Sequence, residues 1–356
     1  MMQSPIAVFR TGYLGDTLVT MPAIQWLKKI HPARPFIFIS EKSPKNRSIA
    51  WDVLQPTGWF EEVLFYDSRS GSLRRFFSLW ALALKLRKKR PGRLYYFSQD
   101  RRSAWQLALD WFYFRWVAQI RDCVGFLAVE HPQRLTTLKL PEMTSEWKRF
   151  LDLVHKDRTE IAPDGQHEFK LTLPVAEKIH AENFMHSQGL SSEAQILAVG
   201  PGSKMQAKRW AEECFWELGW KLLERYPQLQ LIAVGGKEDE PLCNKLVKKW
   251  RERTSFFCQE SILKSAAVLS LCTGYVGNDT GTMHLAASVG IPCVGIFSAR
   301  DYPGLWNPIG EKNIILRHEV PCSGCHLEMC VEKNNMCLKE ITVNEVFEAV
   351  RRLLET

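Results

Sequence analysis

Between Val276 and Gly295 the chain reads VGNDTGTMHLAASVGIPCVG, a short apolar strand that passes through Asn-Asp-Thr-Gly-Thr into a helix of small residues. A strand that turns straight into a helix, and then into another apolar run, belongs in a layered α/β fold. The first amides of such a helix have no partner within it and carry the positive end of its dipole, so the junction suits a phosphate. Asp279, Thr280 and His284 add polar chemistry at the same place. Such a Gly-rich turn can also serve only to pack a helix closely on a sheet.

The same order of strand and helix recurs along the chain. Ile6–Phe9, Phe36–Ile39, Val63–Tyr66 and Leu94–Phe97 read as short strands, with helical patterns at Ala23–Ile30 and Leu73–Lys89 between them. Regularity fades from His131 to Leu173, where prolines and Asp164-Gly165 surround one helix near Ser145–His155. Strands resume at Ile196–Val199, Leu231–Val234, Tyr275–Gly277 and Cys293–Phe297. The expectation is therefore two doubly wound α/β domains, 1–165 and 166–340. A helix in 341–356, with Val343, Val346, Phe347, Val350 and Leu354 at helical spacing, is free to pack back onto the first domain.

At 356 residues the chain is long enough for two such cores. The start MMQSPIAVFRTG has no leader pattern, and no run of about 18 apolar residues appears, which points to the cytoplasm. Residues 1–165 hold 26 Lys and Arg against 16 Asp and Glu, so the positive charge sits in the first half and the remainder is slightly acidic. Any anionic partner is expected there.

Ligands of doubly wound sheets bind beyond the carboxyl ends of the strands. Four loops at such ends carry suitable chemistry. RTGYLGDTLVTMPA, after Ile6–Phe9, places Asp16 behind Gly12 and Gly15; the aspartate can be a helix cap or a catalytic carboxylate. GPGSKMQAKRW, after Ile196–Val199, offers loop amides, the Ser203 hydroxyl and the Lys208 ammonium to a diphosphate, or is simply a solvated basic loop. VGGKEDEP puts Glu238 and Asp239 where a ribose hydroxyl would be met, or at an ordinary acidic helix start. NDTGTMHLAA is the fourth. The G-x-x-G-D spacing near Asp16 is not the dinucleotide fingerprint, which argues against an oxidoreductase.

Together RTGYLGDTLVTMPAIQWLKKIHP, GPGSKMQAKRW, VGGKEDE, NDTGTMHLAASVGIPCVGIFSARDYPGLWNPIG and CHLEMCVEKNNMCLKEIT resemble the ADP-heptose:lipopolysaccharide heptosyltransferases, glycosyltransferase family 9, over nearly the whole chain. The resemblance implies a GT-B architecture, two Rossmann-like domains facing across a cleft, with the acceptor bound by the first and an ADP-activated sugar donor by the second. It implies an inverting transfer with Asp16 as base and Lys208 on the donor phosphates. Gly15, Ser203, Glu238, Asp239, Asp279, Thr280, Gly281 and His284 would bind the donor, and Arg10, Arg101 and Arg102 an anionic glycolipid acceptor of the lipopolysaccharide inner core. The lysine and helix amides can take the place of a divalent ion, so no cofactor is required. A related transferase acting on a protein or another glycan shares these features.

Cys322, Cys325, Cys330 and Cys337 have C-x₂-C-x₄-C-x₆-C spacing. Four thiolates can hold a structural Zn or Fe ion, or remain reduced, or pair in a disulfide. The last three resemble a cysteine pattern of the family, closest to its heptosyltransferase II members, where it requires no metal. The other six cysteines, among them Cys272 and Cys293, read as buried thiols.

The basic run Lys85–Arg93, with Arg74 and Arg75, leads on to DRRSAWQLALDWFYFRWVAQIR, where Trp105, Leu109, Phe112 and Trp116 share one helical face, expected to be core. The remaining aromatics and the charge suit contact with the cytoplasmic face of the inner membrane. A nucleic-acid partner would rest on the charge alone and is not expected.

Overall fold

The computed structural model describes residues 4–42, 49–67, 71–99, 102–129, 140–157, 169–191, 194–250, 252–258 and 261–355. The chain divides into two compact units, one of Met1–His131 with Trp147–His167 and one of Pro132–Glu146 with Glu168–Thr356. The short stretch before residue 147 joins the second unit because its backbone pairs there: Met143 donates to the Pro303 carbonyl at 2.8 Å and Glu146 to that of Leu305 at 2.9 Å.

The first unit runs β1 (Ile6–Phe9), α1 (Leu14–Leu18), α2 (Met21–Ile30), β2 (Phe36–Glu41), α3 (Ile49–Leu54), β3 (Glu62–Tyr66), α4 (Ser72–Lys89), β4 (Arg93–Tyr96), α5 (Ala104–Phe112), β5 (Asp122–Val124) and α6 (Glu146–Lys156). Its five strands are parallel, in the order β3-β2-β1-β4-β5. β1 is buried at every position because both sheet faces are covered, so it reads as an unbroken apolar run rather than an alternation. Ala7, Phe9, Ile37, Ile39, Leu64 and Tyr96 form one core with Leu82, Ala83 and Leu86 of α4 and Leu107 and Phe114. The edge strand β5 is three residues long and only half-buried, too weak a pattern to stand out in the sequence.

One expectation is overturned here. Trp105, Leu109, Phe112 and Trp116 are not core: each is at least half exposed. The opposite side of α5 faces the sheet, and a π-helical turn at Tyr113–Val117 continues it. The reason is Asp110, which accepts a hydrogen bond of 2.5 Å from the Tyr96 hydroxyl and pairs with Arg102 at 2.5 Å. That inward anchor, with Phe114 edge-on to Phe9 at 5.3 Å, turns the aromatic stripe outward.

The second unit runs α7 (Val175–Ser187), β6 (Ile196–Gly200), α8 (Glu212–Arg225), β7 (Gln230–Gly235), α9 (Glu240–Trp250), β8 (Thr254–Cys258), α10 (Ile262–Ser270), β9 (Gly274–Asn278), α11 (Gly281–Ser288), β10 (Cys293–Ile296), β11 (Ile314–Leu316), α12 (Met336–Lys339) and α13 (Val343–Leu354). Its six parallel strands are ordered β11-β10-β9-β6-β7-β8. α8, α9 and α13 share one core with the sheet, while α11 packs on β9 and β10 beside α10. Within the second unit the C-terminal helix buries its apolar stripe: Val346, Ala349, Val350 and Leu353 sit against α8, β9 and β10. Among the described residues no helix is long and apolar enough to cross a membrane.

Candidate active site

In the first unit the strand order reverses between β1 and β4, so the loops leaving these strands flank a switch point. Arg10, the residue after β1, is buried and ties the two loops together. Its Nη1 donates to the carbonyls of Phe97 at 3.1 Å and Ser98 at 3.0 Å, just beyond β4. Its Nη2 donates to Asp16 Oδ1 at 2.9 Å and its Nε to the Asp16 carbonyl at 3.0 Å. The other carboxylate oxygen, Oδ2, accepts the Tyr13 amide at 2.8 Å.

Gly12 makes this possible: its φ is +121°, and a Cβ there would stand 2.5 Å from the Asp16 Cγ. The Asp16 side chain remains 20% exposed. The cap and the candidate base are thus one carboxylate, anchored at both oxygens and still open to solvent. Gly15 lies beside it in the first turn of α1.

Arg10 sits over the Phe150 ring at 5.0 Å, and Arg149 stacks on the same ring at 4.3 Å while donating to the Ser98 carbonyl at 2.8 Å. The Arg10 guanidinium therefore positions Asp16 from beneath, and Arg149, which the sequence did not single out, brings a second cation to the same loop. Arg102 lies instead against α5, paired with Asp110. Arg101 lies outside the described residues.

In the second unit the order reverses between β6 and β9, and the candidate donor residues gather on the loops around that point. Asn278, the last residue of β9, is fully buried. Its amide nitrogen donates to the Pro201 carbonyl at 2.7 Å and its oxygen accepts the Trp210 amide at 3.0 Å, so it fixes the Gly200–Ser203 loop to the segment bearing Lys208. Ser203 is buried, with its hydroxyl accepting the Met205 amide at 3.2 Å.

Lys208 reaches Asp279 Oδ2 at 2.5 Å and Asp301 Oδ2 at 3.3 Å. Burial works against its charge, but the two carboxylates outweigh that cost and hold its pKa above the ordinary 10.5. It is an ammonium at neutral pH, caged by acids and next to the start of α11. Thr280 is the N-cap there without a side-chain hydrogen bond to the helix, and Gly281 is the first helical residue. His284, one turn on, is buried and edge-on to Trp306 at 6.3 Å.

Asp239 lies at the third loop. It accepts the Gly236 amide at 3.0 Å, and added Cβ atoms at Gly202 or Gly235 would collide with it, so two glycines admit one carboxylate between the loops after β6 and β7. Burial raises its pKa, with the Gly236 hydrogen bond opposing. Glu238 is exposed beside it.

Asp301 is the member of this cluster that the sequence reading missed. It is buried, pairs with Arg300 Nη1 at 2.6 Å, and meets His326 Nδ1 at 3.2 Å as well as Lys208. The signal was available: FSARD follows β10 at the same carboxyl edge that marked the other loops.

Cys322, Cys325, Cys330 and Cys337 line one small cavity with Ala207 and Arg300, next to the Lys208 loop. All four are free thiols, and burial first, then the neighbouring thiols, raises the Cys337 pKa. Among the described residues no three Cys, His, Asp or Glu side chains converge as a metal ion requires.

Residues 134–336 match the model of glycosyltransferase family 9 (heptosyltransferase). The lipooligosaccharide heptosyltransferase 2 of Campylobacter jejuni is 26% identical over 172 residues, 47% of this chain and 53% of that protein. The chain thus spans about half the length of the curated relatives it matches. In fold the likeness runs the length of the chain: a family 9 glycosyl transferase from Veillonella parvula superposes with a TM-score of 0.73 at 18% identity, covering 100% of this chain and 99% of that one. The ADP-heptose lps heptosyltransferase II of E. coli does so with a TM-score of 0.65 at 20% identity, covering 98% of each chain. Two parallel-sheet Rossmann-like units in this order are the GT-B architecture, and with more than half of its length matched by the family model the chain belongs to glycosyltransferase family 9, the heptosyltransferases.

Proposed function

We infer that the protein is an inverting glycosyltransferase that moves a heptose from ADP-heptose to a lipid A-linked acceptor of the lipopolysaccharide inner core, at the cytoplasmic face of the inner membrane. The observation that carries this reading is the caged ammonium of Lys208 at the switch point of the second unit, beside the open first turn of α11. The E. coli ADP-heptose lps heptosyltransferase II shares the fold over 98% of the chain, which supports the choice of donor.

In this reading the acceptor hydroxyl gives its proton to Asp16 as its oxygen bonds to the anomeric carbon, and the bond from that carbon to the diphosphate oxygen breaks. The ADP that departs gains negative charge at the diphosphate. Lys208 and the α11 amides stabilise that charge, as preorganised donors do in a site shielded from water. No divalent ion is needed for this step. In this reading Asp239 accepts hydrogen bonds from the nucleoside sugar hydroxyls.

The test is release of ADP from ADP-heptose on addition of heptose-deficient inner-core acceptor, with the product linkage read by NMR. Transfer with inversion at the anomeric carbon supports the reading. Turnover only with a different sugar nucleotide, or retention of configuration, overturns it.

A further inference from the structure

The first unit carries a surface that neither site uses. α4 has two apolar stripes: Leu79, Leu82, Ala83 and Leu86 face the sheet, while Leu73, Phe76, Phe77, Trp80 and Leu84 face solvent, with Leu73 73% and Phe77 65% exposed. α5 and its π turn repeat the arrangement, Leu107 and Phe114 inward and Trp105, Leu109, Phe112 and Trp116 outward, with Trp105 71% exposed. The two elements are stapled side by side. The Tyr113 hydroxyl donates to the Leu79 carbonyl at 2.6 Å, and Arg87 Nε to the Val117 carbonyl at 2.8 Å.

The charges carried by α4 are all basic, and among the described residues only Lys89, at its end, pairs with an acid, Glu62 at 2.5 Å. Arg74, Lys85 and Lys88 are exposed along α4, Arg87 lies over the Trp80 ring at 5.7 Å, and Arg115 over Trp116 at 4.8 Å. α4 contains no acidic residue, and the one acid of α5, Asp110, is turned inward to Tyr96 and Arg102. Soluble proteins rarely leave so continuous an apolar surface open to water. Trp, Phe and Leu bordered by Arg and Lys, whose stems run along the apolar surface to the headgroup level, is the composition of a helix lying in a membrane interface.

We propose that the outer face of α4 and α5 is an in-plane membrane anchor for anionic bilayers. The apolar stripes enter the boundary between headgroups and acyl chains, and the bordering cations hold lipid phosphates. The anchor specifies how the membrane reading under the proposed function is met, and rests on it only for its purpose; binding to lipid needs neither donor nor acceptor. A second copy of the chain is the rival occupant, but two such faces would bring like charges together, since neither α4 nor the outer side of α5 carries an acid.

The experiment is flotation of the full chain with phosphatidylcholine vesicles, with and without phosphatidylglycerol, both free of glycolipid. Binding to the phosphatidylglycerol vesicles that weakens as salt is raised is expected, with about tenfold or greater loss in F77E and W105E. W220E, at an exposed tryptophan of α8 in the second unit, keeps full binding. Folding of each variant is checked by its melting transition, and F77E and W105E keep transfer to a soluble, delipidated core oligosaccharide. No binding to either vesicle, undiminished binding by both variants, or a wild-type dimer that the two substitutions dissociate would overturn the anchor. Failure of the wild type to use the soluble acceptor bears instead on the proposed function and leaves the flotation result standing.

Discussion

Arg10 and Asp16 are joined twice, by Nη2 to the carboxylate Oδ1 at 2.9 Å and by Nε to the aspartate's own carbonyl at 3.0 Å. The same carboxylate takes the Tyr13 amide on Oδ2. In Asp16→Asn the single amide oxygen can accept from only one of these donors, and the amide nitrogen must face the other. A loss of about 1–3 kcal/mol of stability is expected, read by urea denaturation. Loss of the base should lower turnover by about 10²- to 10⁴-fold with donor affinity retained. Turnover near the wild-type value would remove Asp16 from the chemistry.

Arg10→Met tests the other partner. It leaves Asp16 and two strand-end carbonyls without their donor in a buried setting. Breaking a buried charged pair from one side costs about 3–5 kcal/mol, so the first unit should melt well below the wild type. Arg10→Lys keeps the charge but not the fork, and should recover only part of the loss.

Lys208→Met should weaken ADP-heptose binding and slow the reaction together, measured by calorimetry and by ADP release. The stability effect separates the two acids. Asp301 keeps Arg300 and His326 when the lysine goes, whereas Asp279 loses the only ion-pair partner found for it among the described residues. Lys208→Met with Asp279→Asn should therefore recover stability relative to Lys208→Met alone, but not donor affinity, a coupling that a double-mutant cycle reads directly.

The central strands and the loops that carry the candidate residues were legible because parallel strands buried on two faces are unbroken apolar runs, and functional loops must follow their carboxyl ends; the strand orders that make two of those loop pairs into switch points came only from the structure. The edge strands β5, β8 and β11 were not, being short or only partly buried. The error at Trp105, Leu109, Phe112 and Trp116 has a physical cause: α5 is apolar on both sides, and periodicity cannot tell an inward stripe from an outward one. Only the Asp110 pair with Tyr96 and Arg102 decides it, and that pairing is set by tertiary structure. Asp301 was missed because its role depends on Lys208, nearly a hundred residues earlier in the chain.

Alkaline pH should destabilise the fold through its buried thiols. Burial raises Cys272 from 9.0 to about 12, and burial, then Asp122, raises Cys123 to about 11. Below pH 9 these thiols are protonated in both states. Above it the unfolded chain releases protons that the folded chain retains, so stability falls as pH rises from about 9 to about 12. Urea midpoints should decline across that range, and Cys272→Ala should flatten the decline.

Gly12→Ala separates backbone strain from the Asp16 geometry. At φ +121° any side chain is strained, by about 1–3 kcal/mol. The added Cβ also meets the Asp16 side chain, 2.5 Å from Cγ and 2.6 Å from Oδ2. The carboxylate must then leave Arg10 or the Tyr13 amide, so turnover should fall as far as in Asp16→Asn. In an Asp16→Ala background the obstructing carboxylate is gone and only the φ term remains. Gly12→Ala should therefore cost less stability there than in the wild type, by about 0.5–3 kcal/mol of coupling. Equal costs in both backgrounds would mean that Gly12 serves the turn alone.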